Sequence, residues 1–266
     1  MISVCIAGAT GWTGRALVPA VLDAPDLDLV ASVSRSAAGR DLGEALGGEP
    51  LGVPVHGAVA DAREGVDVLV DYTSAAAVKS NTLEAIAAGV CVVIGSSGLT
   101  SADFEEIDAA ARKHSVGVVA SGNFSLTAAM CQAGALLAAR HLPQWEVIDY
   151  ASAAKPDAPS GTARELAERL GDVRQPEPGY PIEELEGPKE ARGATVAGAQ
   201  VHSVRLPSFV VSTEVVFARP DERLTIRHDA GGTPQPYVEG TLLAVRKVRD
   251  LVGLTRGLDT LLLAEQ

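Results

Sequence analysis

The stretch "SAAKPDAPSGTA", residues 152–163, places one lysine, Lys155, among small residues and prolines. Five positions later Ser160-Gly161-Thr162 leads into a helical-looking segment. A lysine ammonium serves as a general acid where desolvation or nearby positive charge favours loss of its proton. The start of a helix offers N–H groups and the positive end of its dipole to an anion. Lys155 is therefore the candidate proton donor, and Ser160, Gly161 and Thr162 the candidate seat of a substrate carboxylate. A second reading stands beside this one. Thr162 with Glu165 fits a T-x-x-E capping box, which needs no ligand.

A second constellation lies at the start of the chain. Gly8-Ala9-Thr10-Gly11-Trp12-Thr13-Gly14 is a G-x-x-G-x-x-G turn between the first strand-like run and the first helical one. Glycines at that junction permit a tight turn, close approach to a pyrophosphate, and close helix–strand packing. The context of a strand before and a helix after points to dinucleotide binding. An acid about 20 residues on would bind the ribose 2′-OH of NAD. Ser34-Arg35-Ser36 stands there instead, one cation and two hydroxyls, which suits a 2′-phosphate. NADPH is thus the expected cofactor, with NADH possible.

The apolar runs show what must position these groups. "ISVCIAG", "DLVASV", "VDVLVDY", "VCVVIG" and "VGVVAS" read as five buried strands. Between them "TGRALVPAVLDAP" reads as a helix interrupted or bent near Pro19, "SAAAVKSNTLEAIAAG" as a helix ended by Gly89, and "SADFEEIDAAARKH" as a helix with acids first and bases last. This alternation predicts a parallel sheet covered on both faces. The pattern changes after about residue 123. A helix "LTAAMCQAGALLAARH", a strand "WEVIDYAS" and the helix after Ser160 precede residues 172–194, which hold four prolines and read as an exposed, mobile loop. Strands "TVAGAQVHSVRLP", "SFVVSTEVVFA" and "ERLTIRHDA" follow, and their loose alternation predicts a sheet with one covered face. A last helix, "PYVEGTLLAVRKVRDL", is expected to return to the first domain. The predicted architecture is α/β: a Rossmann-type dinucleotide-binding domain (1–123 and 234–266), and an α+β substrate and oligomerisation domain (124–233) with a mostly open mixed sheet.

Composition narrows the partners. The chain has 266 residues and a net charge of −12, from 22 basic and 34 acidic side chains, which argues against nucleic acid as the main partner. It lacks an apolar run near the ~18 residues of a membrane span, and its start lacks a basic n-region. A cytoplasmic protein acting on a small molecule is expected. Cys5, Cys91 and Cys131 fit no zinc or redox spacing and read as buried reduced thiols, and no metal site is proposed. The histidines at 56, 114, 141, 202 and 228 do not cluster in sequence. His202 and His228 lie in strand-like runs and read as satisfied structural histidines.

With the glycine turn, "DYTS", "VIGSSGLT", "SGNFS" and "KPDAPSGTA" in this order, and "VHSVR" and "LTIRHDA" in support, the chain resembles the dihydrodipicolinate reductase family over essentially its whole length. The resemblance implies NAD(P)H-dependent reduction of 4-hydroxy-tetrahydrodipicolinate in lysine and diaminopimelate synthesis. It also implies a homotetramer built through the sheet of the inserted domain. Carried over by position, the cofactor contacts fall on Gly8 to Gly14, Ser34 and Arg35, Tyr72 and Thr73, Gly95, Ser96 and Ser97, and Ser121, Gly122, Asn123 and Phe124. The substrate contacts fall on Ser152, Lys155, Ser160, Gly161 and Thr162.

The departures bear on chemistry. Trp12 stands where the family has an arginine, and Ser34 where an acid is frequent. The family's His-His pair before its lysine is Ala151 and Ser152 here, and Ala153 and Ala154 replace further basic residues. A later histidine becomes Thr213, and a Ser-Arg pair becomes Gly232-Thr233. The usual partner acid is therefore missing, and Tyr150 is considered as a substitute. Two other functions stay open: a same-fold reductase of another imine, enone or carbonyl compound, and a non-catalytic dinucleotide-binding protein.

Overall fold

The apolar runs of the first half fold as strands with no solvent side. In β1 (Ile2–Ala7) the last four residues are buried, as a strand covered on both faces requires. The computed structural model describes residues 1–264. These form two units, one of Met1–Ser125 with the chain from Pro234 onward, the other of Leu126–Thr233.

The first unit continues with α1 (Gly14–Leu22), β2 (Leu27–Val33), α2 (Leu42–Leu46), β3 (Val55–His56), α3 (Val59–Ala62), β4 (Val68–Asp71), α4 (Val78–Ala87), β5 (Cys91–Ile94), α5 (Ser101–His114) and β6 (Gly117–Ala120). The interruption expected at Pro19 does not occur. Helix α1 runs through it, with Leu17, Val18 and Val21 buried around the proline, and that burial offsets the one missing N–H bond. A capping box of Thr100 and Asp103 starts α5, and Arg112, Lys113 and His114 end it. Three short elements, α2, β3 and α3, fill residues that carry no legible period.

The second unit opens with α6 (Leu126–Ala139), followed by β7 (Gln144–Ala151), α7 (Gly161–Val173), β8 (Ala194–Val196), β9 (Ala199–Arg205), β10 (Val211–Arg219) and β11 (Glu222–Asp229). Its sheet has the order β11-β10-β7-β9-β8. The β7–β9 pair is parallel and the other pairs are antiparallel, so the sheet is mixed. Strand β7 alternates strictly, burying Trp145, Val147, Asp149 and Ala151. On that face Trp145, Val147, Val215 and Phe217 pack with Ala135, Ala163, Leu166 and Leu170 of α6 and α7. The opposite face carries Glu146, Tyr150, Glu214 and Arg227. The segment expected to be a loop holds two 3-10 turns, Ile182–Glu184 and Lys189–Arg192. Lys189 Nζ donates to the Glu183 carbonyl across them at 2.8 Å, and Arg192 pairs with Glu146.

The chain then rejoins the first unit through α8 (Pro236–Lys247), β12 (Gly253–Arg256) and α9 (Leu258–Leu263). Strand β12 pairs in parallel with β6 and completes a sheet of order β12-β6-β5-β4-β1-β2-β3. Cys5, Cys91 and Cys131 are free thiols. Burial pushes Cys5 up to about 12 and Cys131 up to about 11, so neither is a thiolate at neutral pH. Among the described residues no helix is long and apolar enough to cross a membrane, and no group of His, Cys, Asp and Glu could hold a metal ion.

Candidate active site

Gly8 ends β1 with φ +85°, a conformation glycine adopts without strain. A Cβ there would lie 2.3 Å from the Tyr72 carbonyl oxygen, and one on Gly14 would lie 2.2 Å from the Gly8 oxygen. The Gly11 N–H closes the turn onto the Gly8 oxygen at 2.9 Å. Helix α1 begins at once, and Thr13 supplies no side-chain cap. A turn free of side chains, leading to a helix start with no side-chain cap, fits a pyrophosphate. Ala9 is buried beneath the turn. Thr10 Oγ1 bonds Ser34 Oγ at 2.8 Å, which ties the turn to the end of β2. Ser34 also reaches Ser36 at 3.3 Å, and Arg35 between them is exposed. Trp12 is 52% exposed and meets Tyr237 edge-on at 5.9 Å.

The next loops are tied by a residue the sequence reading passed over. Asp71, fully buried at the end of β4, accepts from the Thr73 N–H at 3.0 Å, Thr73 Oγ1 at 2.7 Å and Ser96 Oγ at 2.6 Å. Its second oxygen accepts from Asn81 Nδ2 at 2.8 Å. One carboxylate thus fixes both "DYTS" and the Gly95-Ser96-Ser97-Gly98 loop. A Cβ on Gly95 would lie 2.2 Å from the Tyr72 ring. Tyr72 bonds Thr241 at 2.8 Å and meets Phe124 edge-on at 6.2 Å; burial raises its phenol pKa. Ser121 Oγ donates to the Asn123 carbonyl at 2.9 Å, and Asn123 Oδ1 accepts the Ser125 N–H at 2.9 Å, with Gly122 exposed between them. These segments follow the C-terminal ends of β1, β2, β4, β5 and β6, the edge at which open α/β sheets take ligands.

In the second unit the anion turn rests on Asp149. This residue is fully buried. It accepts from Ser160 Oγ at 2.6 Å, the Ser160 N–H at 2.8 Å, Ser203 Oγ at 3.1 Å and Arg205 Nη2 at 2.8 Å. Arg205 also donates to the Asp157 carbonyl at 2.6 Å. Asp157 in turn pairs its carboxylate with Lys155 Nζ at 2.9 Å. The lysine and the turn are therefore bound into one network within one unit. Ser152 lies half-buried at its edge, with its carbonyl accepting the Lys155 N–H at 3.0 Å. The helix cap is Ser160, whose Oγ accepts the Ala163 N–H at 3.3 Å. Thr162 lies inside the first turn, so the Thr162–Glu165 capping box is not formed. A Ser160→Ala variant loses both the cap and the Asp149 bond. It is expected to lower the stability of this unit by about 1–2 kcal/mol in urea unfolding followed by Trp145 fluorescence.

Tyr150 does not join this group. Strand alternation sends it to the opposite face from Asp149, where it stacks on Phe209 at 5.2 Å, lies under Arg227 and reaches Glu214 at 3.3 Å. It is a packed strand aromatic, not a substitute acid for this site. His202 is satisfied by Glu146 at 2.7 Å on that same face. His228 is not satisfied: its Nδ1 is buried with no partner. A cavity of about 670 Å³ beside Glu146, Arg192, His202 and Tyr180 contains none of the expected site residues.

Known proteins share this arrangement. Residues 2–124 match the family described as dihydrodipicolinate reductase, N-terminus, and residues 124–262 the one described as dihydrodipicolinate reductase, C-terminus. The 4-hydroxy-tetrahydrodipicolinate reductase of Thermosynechococcus vestitus is 41% identical over 98% of this chain and 97% of its own. That of Desulfitobacterium hafniense is 40% identical over 98% of each. A solved dipicolinate-bound dihydrodipicolinate reductase from a Paenisporosarcina species superposes with a TM-score of 0.75 at 30% identity, covering 98% of this chain and 99% of that one. A myo-inositol dehydrogenase from Corynebacterium glutamicum, 16% identical with a TM-score of 0.63, shares the fold alone. The chain belongs to the dihydrodipicolinate reductase family and is an NAD(P)H-dependent reductase of the diaminopimelate and lysine route.

Proposed function

We propose that the protein reduces 4-hydroxy-tetrahydrodipicolinate with NADPH, that Lys155 supplies the proton, and that Ser160-Gly161-Thr162 seats a substrate carboxylate. The observation that carries this reading is the network from Asp149 through Arg205 and Asp157 to Lys155. It fixes a helix start and an ammonium group relative to one another with the usual histidines absent. Hydride reduction of a cyclic imine or conjugated enamine needs a proton as well as a hydride. A bound nicotinamide dinucleotide supplies the hydride. Lys155 Nζ holds the proton, donates it as the substrate nitrogen gains basicity, and regains one from water. The start of α7 sets its dipole and backbone N–H groups toward the carboxylate. On the cofactor side, Gly8 to Gly14 receive the pyrophosphate and Ser34 with Arg35 the ribose edge. Tyr72, Thr73, Gly95, Ser96, Ser97 and the Ser121–Phe124 segment hold the remainder. Steady NADPH oxidation on enzymatically generated substrate tests the whole reading. Oxidation only with some other imine or carbonyl compound would assign the fold a different substrate.

Arg35 is the side chain through which a 2′-phosphate is read, since no acid stands at this edge. NADPH is expected to bind more tightly than NADH in calorimetric titration, with the difference lost in Arg35→Ala. Equal affinities in the wild type, or an NADH preference that survives the substitution, would contradict this.

The protein is proposed to act in the cytoplasm as a homotetramer joined through the outer face of the second unit's sheet. Exposed Leu206 and Leu224 in this unit support that reading. Light scattering at micromolar concentration is expected to give four chains; a monomer would rule it out.

A further inference from the structure

On the helix-covered face of the second sheet, the apolar core of Trp145, Val147, Val215 and Phe217 gives way to a polar row. The register sets Ser203 opposite Asp149, Asp149 opposite Thr213, and Thr213 opposite His228. Directly paired residues share a face, so these four side chains form one line across β9, β7, β10 and β11. Half of the line is satisfied. Asp149 and Ser203 bond each other, and Asp149 also holds Ser160 and Arg205. The other half is not. Thr213 is 2% exposed and its Oγ1 has no partner; His228 is 7% exposed and its Nδ1 has none.

Helix α6 brings a third such atom. It packs over β10 and β11, and its spacing puts Ala128, Gln132, Ala135 and Ala139 on one stripe. Ala135 and Ala139 are in the apolar core. A short turn joins α6 to β7, so the helix runs back along the sheet. One turn before Ala135 therefore lies toward the polar row, and Gln132 stands there with its Nε2 buried and unpartnered. Buried polar atoms left unpaired are costly and rare. Three on one stretch of a covered face, beside the anchor of an anion turn, point to a ligand group that pairs with them. Burial lowers the His228 pKa, so the imidazole is neutral at pH 7. The set then offers an amide N–H, a hydroxyl and a ring N–H, all uncharged donors.

We propose that Gln132, Thr213 and His228 form a second, uncharged carboxylate seat that recognises the far carboxylate of a cyclic dicarboxylate substrate. The inference rests on the proposed role of Ser160-Gly161-Thr162 in holding the near one. Asp149 and His228 stand two strand spacings apart, on the order of 10 Å. A six-membered ring with a carboxylate on each side of its nitrogen reaches from one seat to the other. This arrangement also accounts for the neutral residues at 151–154: the second carboxylate is read by neutral hydrogen bonds rather than by a histidine or arginine. These three are specificity-determining residues; the proton still comes from Lys155.

Calorimetry on the NADPH-loaded full chain tests this with two probes, pyridine-2,6-dicarboxylate and pyridine-2-carboxylate. The wild type is expected to prefer the dicarboxylate. Thr213→Val and His228→Leu should each weaken the dicarboxylate by about 10–100-fold, the effect of one lost hydrogen bond to a charged group, and leave the monocarboxylate unchanged. His228→Asn keeps an amide near the Nδ1 position and should retain most of the dicarboxylate affinity. Unchanged Trp145 fluorescence confirms the fold of each variant. If both variants keep the wild-type preference, the three atoms are served by ordered water and the proposal falls. It also falls, with the Ser160 turn still standing, if the wild type binds both probes equally. A wild type that binds neither probe overturns the reading of the turn together with the second seat.

Discussion

Lys155→Ala is expected to lower turnover by about 10²–10⁴-fold, the range for loss of a positioned general acid. The affinity for NADPH should not change, because the residues assigned to the cofactor belong to the other unit. Lys155→Arg should not restore activity: it keeps the charge and can still pair with Asp157, but a guanidinium does not give up its proton. The pair of variants separates a proton donor from a mere cation, since a cation role would be rescued by arginine. Steady-state rates on a substrate the wild type accepts measure both. A Lys155→Ala enzyme with near wild-type turnover would place the acid elsewhere. Tyr150 would be a poor successor, since it faces the opposite side of β7, and a bound water would be the next candidate.

The largest effect on stability is expected at Asp149. The side chain is fully buried and accepts from four donors, one of them the Arg205 guanidinium at 2.8 Å. Removing one partner of a buried ion pair leaves the other charge uncompensated, at a cost of about 3–5 kcal/mol. Asp149→Ala should therefore destabilise the second unit by about that amount. Substrate binding should fall with it, because Ser160 loses its two strongest contacts. Urea unfolding followed by fluorescence of Trp145, which lies 4% exposed in this unit's core, reads the loss locally. A change below about 1 kcal/mol, the scale of an exposed ion pair, would show that Asp149 does not anchor the turn.

Much of the first unit could be read from the sequence because a buried parallel strand leaves an unbroken apolar run, and five of its strands did so. Strand β12 and the elements α2, β3 and α3 escaped because each is too short to show a period. The cofactor turn was legible through its glycines, and the reason is now specific: Gly8 and Gly14 lie against backbone that a Cβ would strike. Asp71 escaped because one acid at a strand end resembles any other until its four donors are seen. The cap of α7 was misassigned to Thr162 for a similar reason. Ser160 and Thr162 both suit an N-cap, and only the contact with Asp149, 11 residues earlier, decides between them. His228 was read as satisfied because its segment looked like an ordinary strand. Its missing partner at Nδ1 is a property of packing across β10 and α6, which no local pattern carries.

The central claim is hydride reduction of 4-hydroxy-tetrahydrodipicolinate, and isotope transfer tests it most directly. Freshly generated substrate would be incubated with the wild-type protein and NADPH deuterated at the transferred position, and the product weighed by mass spectrometry. The account predicts one deuterium in each product molecule and one NADPH consumed for each product formed. NADPH left unconsumed, or consumed without deuterium appearing in the product, would contradict it.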